Sequence, residues 1–508
     1  MQAGDVSSAK GEGSFVNARP SKLRCYDMHS GLGRCRASSS AMKAMLAPVT
    51  PEPVNVFISV NPATGRELSR TEPMKRDAVE QALARAEADQ VRWRGLTVVE
   101  RAAFLVELAR QLELGAKDLA ALMSREVGKP FREALGELKK CAWTARHFAE
   151  VGPQMLADEV VPTDARTSYV THRPVGIVLA IMPWNFPFWQ VFRFAVPALL
   201  AGNVVLLKHA PSTMGCSAAI EGIFRKAGAP RGILQHLPVD LDVVQELIAD
   251  PRVKAVTVTG STRAGRSVAA LAGHHLKPCV LELGGSDPFI VMPSADLDVA
   301  VDNAVIARVQ NNGQSCIAAK RFIVHEAIAD AFEERFVAAM GRLRVGDPMD
   351  ESVNVGPIAS LRARDALHDQ VTRSIAAGAR LCLGGKALGG TGFFYAPTVL
   401  ADVPESAPAA NEELFGPVAA LFRVKDLAAA IATANRTSYG LSASIWTQNE
   451  ADASEAVKGI DAGSVFVNGM PKSDPRLPFG GVKDSGYGRE LGRDGLMAFT
   501  TAKSIWMR

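Results

Sequence analysis

The sequence predicts an α/β fold built on a doubly wound parallel sheet, and three observations predict it. Apolar runs alternate with helical periodicities through strand Gly176 to Met182, helix Trp189 to Ala201, strand Val204 to Lys208, helix Met214 to Ala227, a strand near Ile233, helix Val243 to Ala249 and strand Ala255 to Thr259. Strand and helix in turn imply parallel pairing with helical crossovers. The last of these strands runs into Gly260-Ser261-Thr262-Arg263-Ala264-Gly265 and a further helix, so free N–H groups at a helix start face an anion such as a pyrophosphate, although the segment is not GxGxxG. A second α/β alternation begins after Glu282, and 508 residues exceed one ordinary core, so two or three domains are expected.

Taken in order, residues 1–50 are rich in Ser, Gly and Arg without apolar period, and read as a disordered extension with possible starts at Met28, Met42 and Met45. An upstream start or a dispensable tail is favoured over a targeting segment, since no apolar signal core is present. A short strand from Val56 meets the turn Asn61-Pro62-Ala63-Thr64-Gly65. Helices are expected over Asp77 to Ala88, Val99 to Leu112 and Ala116 to Val127, with a fourth from about Glu133 to Val151 that stops at Gly152-Pro153. Glu159 to Thr171 alternates and reads as an extended ribbon. Beyond the first sheet lie strand Pro288 to Val291, helix Leu297 to Ala307, strand Arg321 to His325, helix Ile328 to Met340, helix Arg362 to Ala377, strand Val418 to Phe422, helix Leu427 to Ala434, strand Ser442 to Trp446 and helix Ala451 to Gly459. The closing residues Ala502 to Met507 alternate again, and a C-terminal strand of this kind invites pairing with a second chain.

Composition narrows the partners. The first 50 residues hold seven Lys/Arg and three Asp/Glu, which is the whole of the net charge of +4. A neutral body gives no ground for nucleic acid or an anionic membrane as partner. Seven cysteines without a CxxC pair argue against a disulfide framework or a structural zinc, and nine histidines show no ligand spacing, so no metal is expected. A reducing, cytoplasmic location follows.

Three segments carry chemistry. Cys316 follows Asn311-Asn312-Gly313-Gln314-Ser315, small and polar residues rather than an apolar run. A thiol that attacks a carbonyl needs an oxyanion donor and a base to clear the thioester. Asn185, within Pro183-Trp184-Asn185-Phe186-Pro187, offers an amide donor, and Glu282, ending an apolar strand before Gly284-Gly285, offers a carboxylate whose raised pKa suits a base. Singly these are a packed cysteine, a turn former and an ion-paired acid; jointly they make a nucleophile, an oxyanion donor and a base.

At these segments the sequence resembles the aldehyde dehydrogenase superfamily, through PWNFP (183–187), LELGG (281–285), GQSC (313–316), ELFGP (413–417) and PFGG (478–481), in matching order. The resemblance implies an aldehyde dehydrogenase-like fold: a cofactor domain over 51–152 and 175–282, an α/β catalytic domain over 283–489, and a β oligomerisation arm over 153–174 and 490–508. It assigns Cys316 as nucleophile, Asn185 to the oxyanion hole and Glu282 to water activation. It places Trp184, Lys208, Ser212, Gly260, Ser261, Glu413 and Phe415 around NAD or NADP. Many NAD-specific members carry Glu three residues after the lysine; Pro211 stands there, so both cofactors are expected.

Within the superfamily the chain looks most like bacterial succinate-semialdehyde dehydrogenases, through Lys208-His209-Ala210-Pro211, Val256 to Ser261 and Leu283 to Phe289. That implies a small aldehyde with a terminal carboxylate, bound by Arg193. A second arginine of some relatives is Gln310 here, so the anchor is completed by Ser473, Lys472 or Arg476. A homodimer or homotetramer is expected. Two other readings stay open: a broader aldehyde dehydrogenase acting on glutarate semialdehyde, aromatic or aliphatic aldehydes, and a non-catalytic protein on the same fold.

Overall fold

The structure, a computed structural model, describes residues 56–508, so the expected extension over 1–50 lies outside the described residues. Ile177–Ile181, Val204–Lys208 and Val253–Thr259 are almost wholly buried apolar runs, as strands covered on both faces must be. They form the centre of a six-stranded sheet in the order Gly486–Tyr487, Cys279–Glu282, Val253–Thr259, Ile177–Ile181, Val204–Lys208, Leu234–His236. All neighbours are parallel except Gly486–Tyr487, which returns from near the C-terminus and pairs antiparallel with Cys279–Glu282.

Register fixes where the chemistry lies. Ile181 stands opposite Lys208 and Val258, and Thr259 opposite Glu282, so these strands end together. The Pro183–Pro187 turn, Lys208, Gly260 and Glu282 therefore share the carboxyl edge of one sheet, where doubly wound folds bind ligands.

The second sheet has seven strands, ordered Arg380–Leu383, Thr398–Ala401, Val418–Val424, Ala319–His325, Asp287–Val291, Ser442–Trp446, Ser464–Val467. Only Arg380–Leu383 runs antiparallel to its neighbour. The Cys316 loop enters the amino end of Ala319–His325. A third, antiparallel sheet joins Glu159–Val160, Thr167–Pro174 and Thr500–Met507, the last two in continuous register from Thr500 opposite Pro174 to Met507 opposite Thr167.

Two helices differ from expectation. The expected stop at Gly152-Pro153 is overrun: the helix spans Phe131–Met155 with Pro153 inside. Pro153 sits in the last turn, where only one bond is lost, and Leu156 still donates to the Gly152 carbonyl at 3.0 Å. The first helix spans Arg76–Gly95, beyond Ala88, because Gln90 and Trp93 continue its buried stripe and the Trp93 indole donates to the Leu199 carbonyl at 2.9 Å. Among the described residues no helix is long and apolar enough to cross a membrane.

Candidate active site

The Pro183–Pro187 turn is held from beneath by Glu137, whose carboxylate accepts the N–H groups of Phe188 and Trp189 at 2.9 Å each. Glu137 is ion-paired with the fully buried Lys129, whose ammonium lies 3.8 Å from the centre of the Phe186 ring. His209 ties the turn to the neighbouring strand: its Nε2 lies 3.0 Å from the Pro187 carbonyl, and its Nδ1 accepts the Ala210 N–H at 2.9 Å. Burial pulls this imidazole down to about 4, so it stays neutral and serves as a clamp.

Asn185, buried at the tip, presents its amide to the cysteine loop: Nδ2 donates to the Gln314 carbonyl at 3.0 Å and Oδ1 accepts from Gln190 Nε2 at 2.9 Å. An amide nitrogen carries two hydrogens, so one remains for a ligand oxygen. The loop is built from Asn311, Asn312 and Gly313, all with positive φ (52°, 59° and 75°). Such a run is costly and persists only where its surroundings fix it. Here the Asn311 N–H donates to Glu133 at 2.6 Å, its side chain donates to the Asn185 carbonyl at 2.7 Å, and Arg308 donates to the Gly313 carbonyl at 2.8 Å. Lys320, fully buried, donates to the carbonyls of Ser315 (2.7 Å) and Cys316 (2.6 Å).

Cys316 remains half-exposed at the end of this run. Glu282 is buried, and neither carboxyl oxygen has a hydrogen-bond partner among the described residues. Its segment meets the cysteine through Gly285, where a Cβ would stand 2.7 Å from the Cys316 carbonyl oxygen. Burial pushes the Glu282 carboxyl well above the ordinary carboxylate range and the Cys316 thiol up to about 12. The Arg193 guanidinium opposes burial at both groups.

Arg193 itself departs from the expected free anchor. Its side chain is 3% exposed, ion-paired with Glu490, and its Nη2 donates to Thr259 Oγ1 at 3.1 Å. Burial works against its charge, but Glu490 and Glu282 outweigh that and raise its pKa. A cation this deep needs a buried acid, and Glu490 supplies it. Gln310 is half-buried with Nε2 unpartnered, and Ser473 Oγ receives Lys140 Nζ at 2.6 Å and Trp189 Nε1 at 3.1 Å. Glu490, Lys320 and Lys140 were not singled out in the sequence: each stands beside another charged residue (Arg489, Arg321 and Lys139), a pair that reads as an ordinary solvated face.

Of the expected cofactor positions, Trp184, Lys208, Ser212, Gly260 and Ser261 end or follow strands at the carboxyl edge of the first sheet, whereas Glu413 and Phe415 precede the strand Val418–Val424 of the second sheet. Lys208 is buried, with no carboxylate in ion-pair range among the described residues, and burial lowers its pKa. Ser212 belongs to the turn Pro211–Thr213 two residues beyond His209-Ala210. Ser261 caps the helix Thr262–His274, its hydroxyl accepting the Ala264 N–H at 3.3 Å, and Gly260 precedes it. Glu413 Oε1 accepts the Gly285 N–H at 3.0 Å, and the Phe415 ring meets Trp184 edge-on at 5.7 Å. A lone lysine, a helix start and no acid at position 211 suit a dinucleotide whose ribose bears hydroxyls or a phosphate.

Residues 49–505 match the profile of the aldehyde dehydrogenase family. The chain is 49% identical over 449 residues to a probable succinate-semialdehyde dehydrogenase (NADP(+)) of Synechocystis sp., covering 88% of this chain and 99% of that protein. It is 48% identical over 458 residues to a succinate semialdehyde dehydrogenase (NAD(P)+) of Escherichia coli, covering 90% and 99%. A crystal structure of succinic semialdehyde dehydrogenase from Streptococcus pyogenes in complex with NADP+ superposes with a TM-score of 0.87 at 35% identity, covering 89% of this chain and 99% of that one.

Proposed function

From the membership of this chain in the aldehyde dehydrogenase family, we propose that it oxidises succinate semialdehyde to succinate, with NADP or NAD as hydride acceptor. The observation that carries the reading is that the Asn185 amide and the Glu282–Gly285 segment both meet the loop of Cys316, where the carboxyl edge of the first sheet faces it. The sulfur of Cys316 attacks the aldehyde carbon and its proton passes to Glu282 or to water. Asn185 Nδ2 and the Cys316 backbone N–H hold the oxyanion. The nicotinamide of a bound cofactor supplies the hydride acceptor. Once the thioester stands on Cys316, Glu282 takes a proton from the attacking water; the C–S bond breaks, succinate leaves and the thiol is restored.

Lys208 holds the adenosine ribose, Ser212 lies beside it, and Gly260 and Ser261 receive the pyrophosphate. Trp184, Glu413 and Phe415 enclose the nicotinamide half. Pro211 in place of an acid supports use of NADP beside NAD. The arm Thr167–Pro174 with Thr500–Met507 joins copies into a homodimer or homotetramer.

The test is steady-state NADPH and NADH formation with succinate semialdehyde and with butanal, equal in chain length but without the carboxylate. The expected kcat/KM is higher for succinate semialdehyde by at least about 10-fold, the effect of one charge-assisted contact. Equal efficiency on both aldehydes leaves the broader aldehyde dehydrogenase reading instead.

A further inference from the structure

Neither position expected to offer a cation to a substrate carboxylate has a free one: Arg193 is paired with Glu490, and position 310 is a neutral glutamine. Another cation stands close by. Lys140 lies on the helix Phe131–Met155, one turn beyond Glu137, which holds the start of the helix Trp189–Leu200. Its ammonium is 4.2 Å from the centre of the Trp189 ring and donates to Ser473 Oγ at 2.6 Å, while the Trp189 indole N–H also points to that hydroxyl, at 3.1 Å. Trp189 is one turn past Asn185, whose amide touches the cysteine loop. Arg193, one turn further on, acts electrostatically on Lys140 and on Cys316 alike, so the two lie on the same side of the molecule within reach of one charge.

No carboxylate lies in ion-pair range of Lys140 among the described residues. The two nearest acids are engaged elsewhere: Glu137 with Lys129, and Asp474 with Arg476 at 2.7 Å. Lys140 is half-buried rather than sealed. The ammonium of a half-buried lysine over an aromatic face, sharing a hydroxyl with an indole N–H and lacking an anion, is a cation site short of one ligand.

We propose that Lys140, with Ser473 and the Trp189 indole N–H, binds the terminal carboxylate of the substrate and sets the preference for an aldehyde acid over a plain aldehyde. The inference rests on the succinate semialdehyde reading above and names the residue that recognises that substrate. Ser473 can donate to the carboxylate when Lys140 turns to it, since a hydroxyl is both donor and acceptor.

A pH signature follows. Burial, with Arg193 adding to it and Cys141, Asp474 and Glu137 opposing, lowers the Lys140 ammonium to about 8. The cation is present below that value and is lost as pH rises through it, so recognition of the carboxylate weakens on the alkaline side. Protonation of Cys316 and Glu282 affects both aldehydes equally and cancels in the ratio of their kcat/KM values, which reports the free enzyme.

The experiment measures that ratio, succinate semialdehyde over butanal, from pH 6 to 10 for wild type, Lys140→Met and Lys140→Arg. The expected result is a ratio about 10- to 100-fold lower in K140M through a raised KM, largely restored in K140R, with the wild-type ratio falling through pH about 8 and the K140R ratio flat. A wild-type ratio near one at pH 7 overturns the substrate reading and the inference with it. A high wild-type ratio that K140M retains overturns the role of Lys140 alone. The wild-type profile tests the same point without any substitution: a ratio constant across pH 8 also overturns it.

Discussion

Burial pushes the Cys316 thiol up to about 12, so the nucleophile rests protonated at neutral pH and its proton has to leave as sulfur attacks. Glu282 is the carboxyl proposed to take it, and its own pKa is raised by burial. Cys316→Ala is expected to lower kcat by at least about 10³-fold, as loss of a nucleophile does. Glu282→Gln separates the two half-reactions. Stopped-flow is expected to record a burst of NADPH near one equivalent per site, followed by steady-state turnover about 10²- to 10⁴-fold below wild type, since the thioester forms but water is no longer deprotonated. Loss of burst and steady state together would place Glu282 in acylation instead. The sign of the pH effect follows from the direction of the shift. Glu282 acts as a base only when ionised, and its folded pKa stands above the ordinary carboxylate value, so wild-type kcat rises with pH through a limb above pH ~4.3.

At the scale of elements, the turn that presents Cys316 is where sequence reasoning had least to work with. The strands Val204–Lys208 and Ser442–Trp446 were readable to the residue because buried parallel strands leave unbroken apolar runs. Cys316, Glu282 and Asn185 stood out in the sequence because each sits in a motif. The pairing of Arg193 with Glu490 did not, since residues far apart in the sequence meet there, and helical spacing alone makes Arg193 a surface residue. Thr398–Ala401 and Ser464–Val467 were missed because four residues between turns hold too little pattern. Asn312 reads only as a polar loop residue. In the fold it is fully buried, donates to the carbonyls of Gly128 (2.8 Å) and Pro357 (3.0 Å), and accepts the Gly356 N–H (2.6 Å). Asn312→Ala strips three buried backbone groups of their partner and puts a β-carbon residue without a compensating side chain at φ 59°. A loss of about 2–4 kcal/mol in unfolding free energy is expected from denaturant titration. A change under 0.5 kcal/mol would mean that water replaces the amide at little cost.

For the whole molecule, the strand Thr500–Met507 does more than close the chain. It is an edge of the three-stranded sheet, paired on one side only with Thr167–Pro174, and it leaves Trp506 52% exposed. Across the same sheet Val160 is 82% exposed. A long edge strand with exposed apolar side chains is avoided in monomers, because it templates pairing with a second chain. The residue before it belongs to the core instead: Phe499 is buried, its ring meets Phe194 at 6.3 Å, and its carbonyl accepts Asn203 Nδ2 at 3.0 Å. A chain ending at Phe499 therefore keeps the core contacts and removes only the edge. In light scattering coupled to size exclusion, the full chain is expected as a dimer or tetramer and the shortened chain as a smaller species. An unchanged mass would move the interface to another face. The two sheets that frame Cys316 and Glu282 are built without Thr500–Met507, so the shortened chain is expected to retain steady-state NADPH formation even where its assembly is lost. Turnover lost together with the mass would mean that the edge strand also supports the active site through the neighbouring copy.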